Sequence, residues 1–198
     1  MIRVLAICAG RCAPLVVAGR GASEAVASAI VKSPVSTLDA AAAIEVGPLG
    51  VAGDEQADLS VHGGLDKAVY LYPREHYAFW QTVRAQAGNG EALAPGAMGE
   101  NLLIEGLLET EAWIGDRLTI GEVGLRIESP RAPCFKFNAR MGFAWATKMM
   151  VQSGYTGFYC SVVRQGKLAA GDSVLVHPGD RVVSIEQAHR MKHRSRRS

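Results

Sequence analysis

Val123-Gly-Leu-Arg-Ile-Glu-Ser-Pro-Arg-Ala-Pro-Cys134 is the stretch from which the rest of the chain is best read. From Val123 to Glu128 apolar and polar residues alternate, the period of a strand with one buried face. Pro130 and Pro133 then interrupt strand pairing. Cys134 follows at the strand end, where a short helix over 134–140 can begin. Partners for this strand are expected at 2–8, 28–33, 41–46, 67–71, 101–104, 117–120, 158–164, 173–176 and 181–185, mostly short β-branched runs bounded by Gly, Pro or Asp. Helical spacing is rarer. One helix is expected from Pro73 through Tyr77, Trp80 and Val83, closed by Gly88-Asn-Gly90, and a second from Phe143 to Gln152, closed by Ser153-Gly154. The pattern predicts a mostly β barrel or sandwich with a few peripheral α-helices.

The chain has 198 residues, enough for one domain with a real core. Its 22 glycines exceed ordinary usage. Gly47, Gly50, Gly53, Gly63 and Gly64 crowd into one segment, which suggests backbone closely approaching a ligand in addition to turns. No apolar run approaches the length of a membrane span. The N-terminal apolar residues read as a strand rather than a signal peptide, and the expected compartment is the cytoplasm. The net charge of +2 belongs to the end of the chain. Residues 187–198 hold Arg190, Lys192, Arg194, Arg196 and Arg197 and no acid, and without them 16 basic face 19 acidic side chains. The expected organisation is a domain over 1–185 and a solvated basic tail over 186–198. That tail alone argues weakly for nucleic acid, because the body is mildly acidic and shows no recognised binding module.

Chemistry concentrates in two places. Gly50 to Val69 packs Asp54, Glu55, Asp58, His62, Asp66 and Lys67 into a glycine-punctuated loop ahead of a strand. His62, the amides of Gly63 and Gly64, and Lys67 can converge on one anion. Taken singly, Asp54 and Asp58 serve equally well as turn caps. Around Cys134, the start of a helix together with Arg131 and Lys136 favours a thiolate, the form required of a soft-metal ligand or nucleophile. The alternative is a packed core thiol. Asn101, in Gly99-Glu-Asn101-Leu, offers either a ligand-binding amide or a turn. Gly154-Tyr-Thr-Gly-Phe-Tyr159 can form one wall of a site. Cys8 and Cys160 read as buried strand thiols and Cys12 as a loop thiol. No Cys-x-x-Cys occurs, and His76, His177, His189 and His193 lack ligand-like spacing. His76 is expected to face outward or to cap a helix turn. No complete dinucleotide fingerprint or phosphate-loop lysine motif is present.

Gly53-Asp-Glu-Gln-Ala-Asp, His62-Gly-Gly-Leu-Asp-Lys-Ala-Val, Tyr72-Pro-Arg-Glu-His-Tyr, Gly99-Glu-Asn-Leu, Ile114-Gly-Asp-Arg-Leu and Ser129-Pro-Arg-Ala-Pro-Cys134, in that order, resemble the MOSC domain family and most closely its YiiM-like branch. The resemblance covers roughly residues 2–185. It implies a barrel-like β fold and binding of the molybdenum cofactor, with Cys134 as the protein ligand to the metal. It also implies reduction of N-hydroxylated compounds to amines, with electrons from an external reductase, and it associates the family with pyridoxal phosphate binding. His62, Lys67, Gly63, Gly64, Arg131, Lys136 and Asn101 would then hold the cofactor, and His62 or Asp66 would deliver a proton. YiiM-like proteins usually continue into a small helical domain, of which Val183-Ser-Ile-Glu-Gln-Ala-His189 resembles the opening. A cofactor or sulfur carrier using a Cys134 persulfide is the competing class.

Overall fold

The computed structural model describes residues 1–18, 23–57 and 63–194. In chain order its elements are β1 (Arg3–Ala9), β2 (Ala13–Ala18), β3 (Ser23–Ser28), β4 (Ser33–Thr37), β5 (Ile44–Gly47), β6 (Gly50–Val51), β7 (Val69–Pro73), α1 (Tyr77–Gln86), β8 (Leu102–Glu105), β9 (Arg117–Ile120), β10 (Val123–Pro130), α2 (Phe135–Met141), α3 (Ala146–Ser153), β11 (Phe158–Arg164), β12 (Gly166–Leu168), β13 (Val174–His177) and α4 (Ile185–Arg194). Single 3-10 turns lie at Leu65–Lys67 and Arg74–His76.

Eight strands form one sheet in the order β13-β9-β10-β11-β7-β8-β1-β4. All neighbours are antiparallel except β7 and β8, whose connection carries α1, as a parallel crossover requires. The ladder is not closed into a barrel. It curls instead, until the start of β1 meets the segment leading into β13. Arg3 bridges Ser173, the Val4 N–H donates to the Asp172 carbonyl at 3.0 Å, and the Val174 N–H donates to the Ile2 carbonyl at 2.9 Å.

Curling gives the sheet an inner and an outer face, and both are covered. Val69 and Leu71 of β7, Leu102 and Ile104 of β8, and Leu125 and Ile127 of β10 fill the inner core. The alternate residues Tyr70, Tyr72 and Leu103 pack outward with Trp80, Phe137, Met141 and Met150 beneath the helices. This is why β7 is buried at every position, and why it lacks the alternation of a half-exposed strand.

The strands over 117–120 and 158–164 stand where the sequence predicts them. Three expectations change. The predicted strand over 28–33 is instead the connection between β3, which pairs with β2 as a hairpin, and β4; Ala, Ser and Pro give these strands little β-propensity. Pro73 ends β7 instead of opening a helix. Residues 181–185 form no strand, since Ser184 caps α4. The Gln187 N–H donates to Ser184 Oγ at 3.2 Å and the Ser184 N–H to Gln187 Oε1 at 2.9 Å, a reciprocal capping box.

Residues 185–194 therefore form a docked helix, not a frayed tail. Ile185 is fully buried, His189 is buried with its Nε2 2.9 Å from the Val151 carbonyl, and the helix packs on β10. Ile185→Ala is expected to lower the unfolding free energy by about 2–4 kcal/mol. Urea denaturation checks this, and an unchanged midpoint would show that the helix is not part of the fold.

Candidate functional site

A cleft opens where the C-terminal end of β10, the start of β11 and the loop after β6 converge. Its volume is about 720 Å³ with the open mouth included. Cys134, Lys32, Lys67, Lys136, Arg131 and Tyr159 line it, with Asp54, Asn101 and Tyr70 deeper in the wall.

Cys134 is placed by the segment before it. Pro133 holds the residue ahead of it extended, and Cys134 itself is extended at φ −121° before α2 begins. Its carbonyl accepts from the Phe137 N–H at 2.9 Å and from Thr147 Oγ1 at 3.0 Å, leaving a partly exposed thiol at the cleft. Arg131 anchors the same segment. Its guanidinium is buried 5.0 Å over the Tyr70 ring and 4.9 Å over the Phe137 ring, and it donates to the Met98 carbonyl and to Tyr70 Oη. Lys136 reaches back to the Ala27 carbonyl at 2.8 Å, tying α2 to the β2–β3 hairpin.

The opposite wall is built on Asp54. Its Oδ1 accepts from Lys32 Nζ and, at 2.9 Å, from the Gly10 N–H; its Oδ2 accepts from Asn101 Nδ2 at 2.8 Å. The Lys32 and Asp54 side chains are only 8% and 7% exposed. Asn101 does not offer a bare amide. Its Oδ1 accepts from the Tyr70 N–H at 3.1 Å, and its Nδ2 also donates to the Cys8 carbonyl at 3.3 Å. Asn101 thus acts on the cleft by fixing Asp54. The Gly64 amide is likewise taken, by Gln56 Oε1 at 2.7 Å. Gly63 is buried at the start of the turn that carries Lys67 to the cleft. Asp66, on that same turn, is exposed and does not line the cleft, so the structure does not bring it to the expected site. His62 and Asp58 fall in 58–62, outside the described residues.

The Gly99-Glu-Asn101 motif has a packing basis. Gly96 and Gly99 both have positive φ, and a Cβ on either would stand 2.6 Å from the Lys32 carbonyl or 2.9 Å from Ile30 Cγ1. Glu100, fully buried between them and β8, accepts from Tyr77 Oη, from the Gly96 N–H at 2.7 Å and from the Met98 N–H at 2.9 Å. Burial pushes its carboxyl above the usual range, and these hydrogen bonds act against that. Because the folded pKa is raised, the folded state binds the proton more tightly than the unfolded one. Stability should then fall as pH rises through the interval above the ordinary carboxyl value. Glu100→Gln is expected to cost about 1–3 kcal/mol by setting an N–H donor against the Met98 N–H, and to abolish that slope. Denaturation at several pH values checks both. Equal pH slopes in the two proteins would refute the assignment.

Lys32 is the main cleft residue the sequence did not reveal. Its partner lies 22 positions away, and no local pattern announces the pair. His76 does not face outward. It is buried, its ring is stacked 3.9 Å from Tyr155, and its Nε2 is 2.7 Å from Glu109 Oε2. This second cluster is held by the Gly157 N–H, which donates to Glu109 Oε1 at 2.7 Å. Cys8 and Cys160 are buried and Cys12 is exposed, as expected, and desolvation drives the thiols of Cys8 and Cys160 upward. No cluster of three or more metal-ligating side chains occurs among the described residues, and no helix there is long and apolar enough to cross a membrane.

Residues 58–175 match the model of the MOSC domain. The chain is 38% identical over 142 residues to the uncharacterized protein YflK of Bacillus subtilis, covering 71% of this chain and 62% of that protein. It is 39% identical over 122 residues to protein YiiM of Escherichia coli, covering 62% and 54%. A Gibberella moniliformis protein named reductase is 35% identical over 126 residues, 63% of this chain and 22% of its own. Over its whole length the fold superposes on the crystal structure of YiiM from Geobacillus stearothermophilus with a TM-score of 0.74 at 24% identity, covering 87% of that chain. This chain therefore spans less than two thirds of YflK and of E. coli YiiM. The domain match covers more than half of the chain, which belongs to the MOSC domain family, among its YiiM-like members.

Proposed function

We propose that this chain binds the molybdenum cofactor, with Cys134 as the protein ligand to the metal, and reduces N-hydroxylated compounds to amines with electrons from an external reductase. The observation that carries this reading is the Cys134 thiol facing a cleft that Lys32, Lys67, Lys136 and Arg131 also line, in a MOSC chain. The donor set fits the group. A soft thiol suits molybdenum, and the cationic lining suits an anionic pterin phosphate. A relative named reductase supports the same class of chemistry.

The cofactor supplies two-electron redox chemistry at its metal. The chain's own residues bind and orient. Lys67 and Lys136 serve the phosphate, Arg131 holds the backbone that aims Cys134, and Asp54 with Asn101 keeps Lys32 in the wall. His62 keeps the role its sequence suggests, a cationic or proton-donating group towards the ligand. Asp66, exposed outside the cleft, has no part in the reading. The reaction consumes two electrons and two protons per N–OH and releases water. The four free cysteines suit a reducing cytoplasm, where such an electron donor would operate.

Elemental and pterin analysis of protein purified from a cofactor-competent host tests the reading. Molybdenum and pterin stoichiometric with protein are expected, and their absence would overturn it. Multiple turnover with a reduced viologen as electron source would separate the reductase from a carrier that holds cofactor or a Cys134 persulfide without turnover.

A further inference from the structure

Three tyrosines of the core beneath the helices spend their hydroxyls inside the protein. Tyr70 Oη donates to the Thr156 carbonyl at 2.6 Å, Tyr72 Oη to the Tyr155 carbonyl at 3.0 Å, and Tyr77 Oη to Glu100. Tyr159 is different. Strand pairing sets it between Ser129 of β10 and Tyr70 of β7, its ring packs 5.1 Å from that of Tyr70, and it lines the cleft. Its hydroxyl has no hydrogen-bond partner among the described residues and is not buried away from solvent. A phenol held by its ring, with its polar end unspent in a cleft beside a thiol, is placed to meet a ligand oxygen.

We propose that Tyr159 is a catalytic residue of this cleft, donating a hydrogen bond and then a proton to the hydroxylamine oxygen of the substrate. The proposal rests on the reductase reading above. In the balanced step, R–NH–OH takes two electrons from the external reductant and two protons. The N–O bond breaks with one proton passing from Tyr159 Oη to the departing oxygen, giving water, while the second proton comes from solvent to the nitrogen, giving R–NH2. The phenolate regains its proton from solvent through the open mouth of the cleft. Of the cleft carboxylates, Asp54 is spent on Lys32, Gly10 and Asn101, and Glu55 accepts from the Cys12 N–H at 2.7 Å.

Tyr159→Phe keeps the ring and removes the oxygen, and thermal unfolding should show the fold retained. With 6-hydroxylaminopurine as substrate and a reduced viologen as donor, kcat is expected to fall about a hundredfold or more, with KM changed only a few-fold and molybdenum content unchanged. A second readout needs no turnover. By calorimetry, the variant should bind 6-hydroxylaminopurine about fivefold more weakly than wild type and adenine, which lacks the hydroxyl, equally well. Turnover near the wild-type rate, or unaltered binding of both purines, would overturn the proposal. If wild-type protein holds no molybdenum, the reductase reading fails by itself. The binding comparison then still decides whether the Tyr159 hydroxyl recognises an N-hydroxyl group.

Discussion

Cys134→Ala is expected to yield a folded protein without molybdenum and with kcat/KM lowered about 10³-fold or more. The loss of function should be this sharp because no other cysteine lines the cleft, so no second thiol can take the place of the first. The fold should survive for a reason equally visible in the structure. What the surrounding elements use is the carbonyl of Cys134, which closes the first turn of α2 and accepts from Thr147, and alanine supplies the same carbonyl. The thiol is only partly buried, so its removal should cost about 1 kcal/mol or less. Cys160→Ala provides the converse control. Cys160 is fully buried in the inner core, so truncation there should lower stability by about 1 kcal/mol while leaving molybdenum in place. Metal analysis beside thermal unfolding of the two variants checks the pair. If Cys134→Ala keeps its molybdenum, the thiol is not the metal ligand.

The limits of reading such a site from sequence follow from distance along the chain. Local signals carried far. Alternation in 123–128 marks β10, and Ser153-Gly154 stands where α3 ends, with Gly154 left-handed. Other local signals were present and unread. Ser184 and Gln187 spell a capping box, while Val182 and Val183 just before them have the β-branched character of a strand. β7 was recognised, but its burial on both faces was hidden, because alternating Leu and Tyr look equally apolar whether one face or two are covered. Around the cleft, Cys134 was legible because two prolines and two cations flank it locally. Lys32, Asp54 and Asn101 meet only after β1, β4 and β8 have paired, and no spacing rule links residues 22 and 47 positions apart. The same holds for Tyr159, whose hydroxyl has no partner among the described residues.

Asp54→Ala is the substitution expected to damage both stability and site. The carboxylate compensates a lysine that is 8% exposed, and it accepts from Gly10 and Asn101 as well. Removing it strands an ammonium in a poorly hydrated wall and leaves two donors unmatched. Breaking such a pair from one side costs about 3–5 kcal/mol, a fall in Tm of about 10 °C for a chain of this size. The damage should spread to function. Asn101 loses one of the contacts that fix its amide, and that amide also holds the Tyr70 N–H beside Arg131 and Tyr159. Removing both charges separates a buried pair's net worth from the cost of orphaning one member. Lys32→Met combined with Asp54→Leu should recover a large part of the stability lost in Asp54→Ala, because no uncompensated ion remains. Molybdenum content should remain low in the double variant, since the cation lining that wall is gone. Thermal unfolding and metal analysis of the single and double variants read the two effects separately. A double variant no more stable than Asp54→Ala would show that the Gly10 and Asn101 bonds, and not charge compensation, are what Asp54 contributes. Full molybdenum loading in the double variant would remove Lys32 from the cofactor's binding surface.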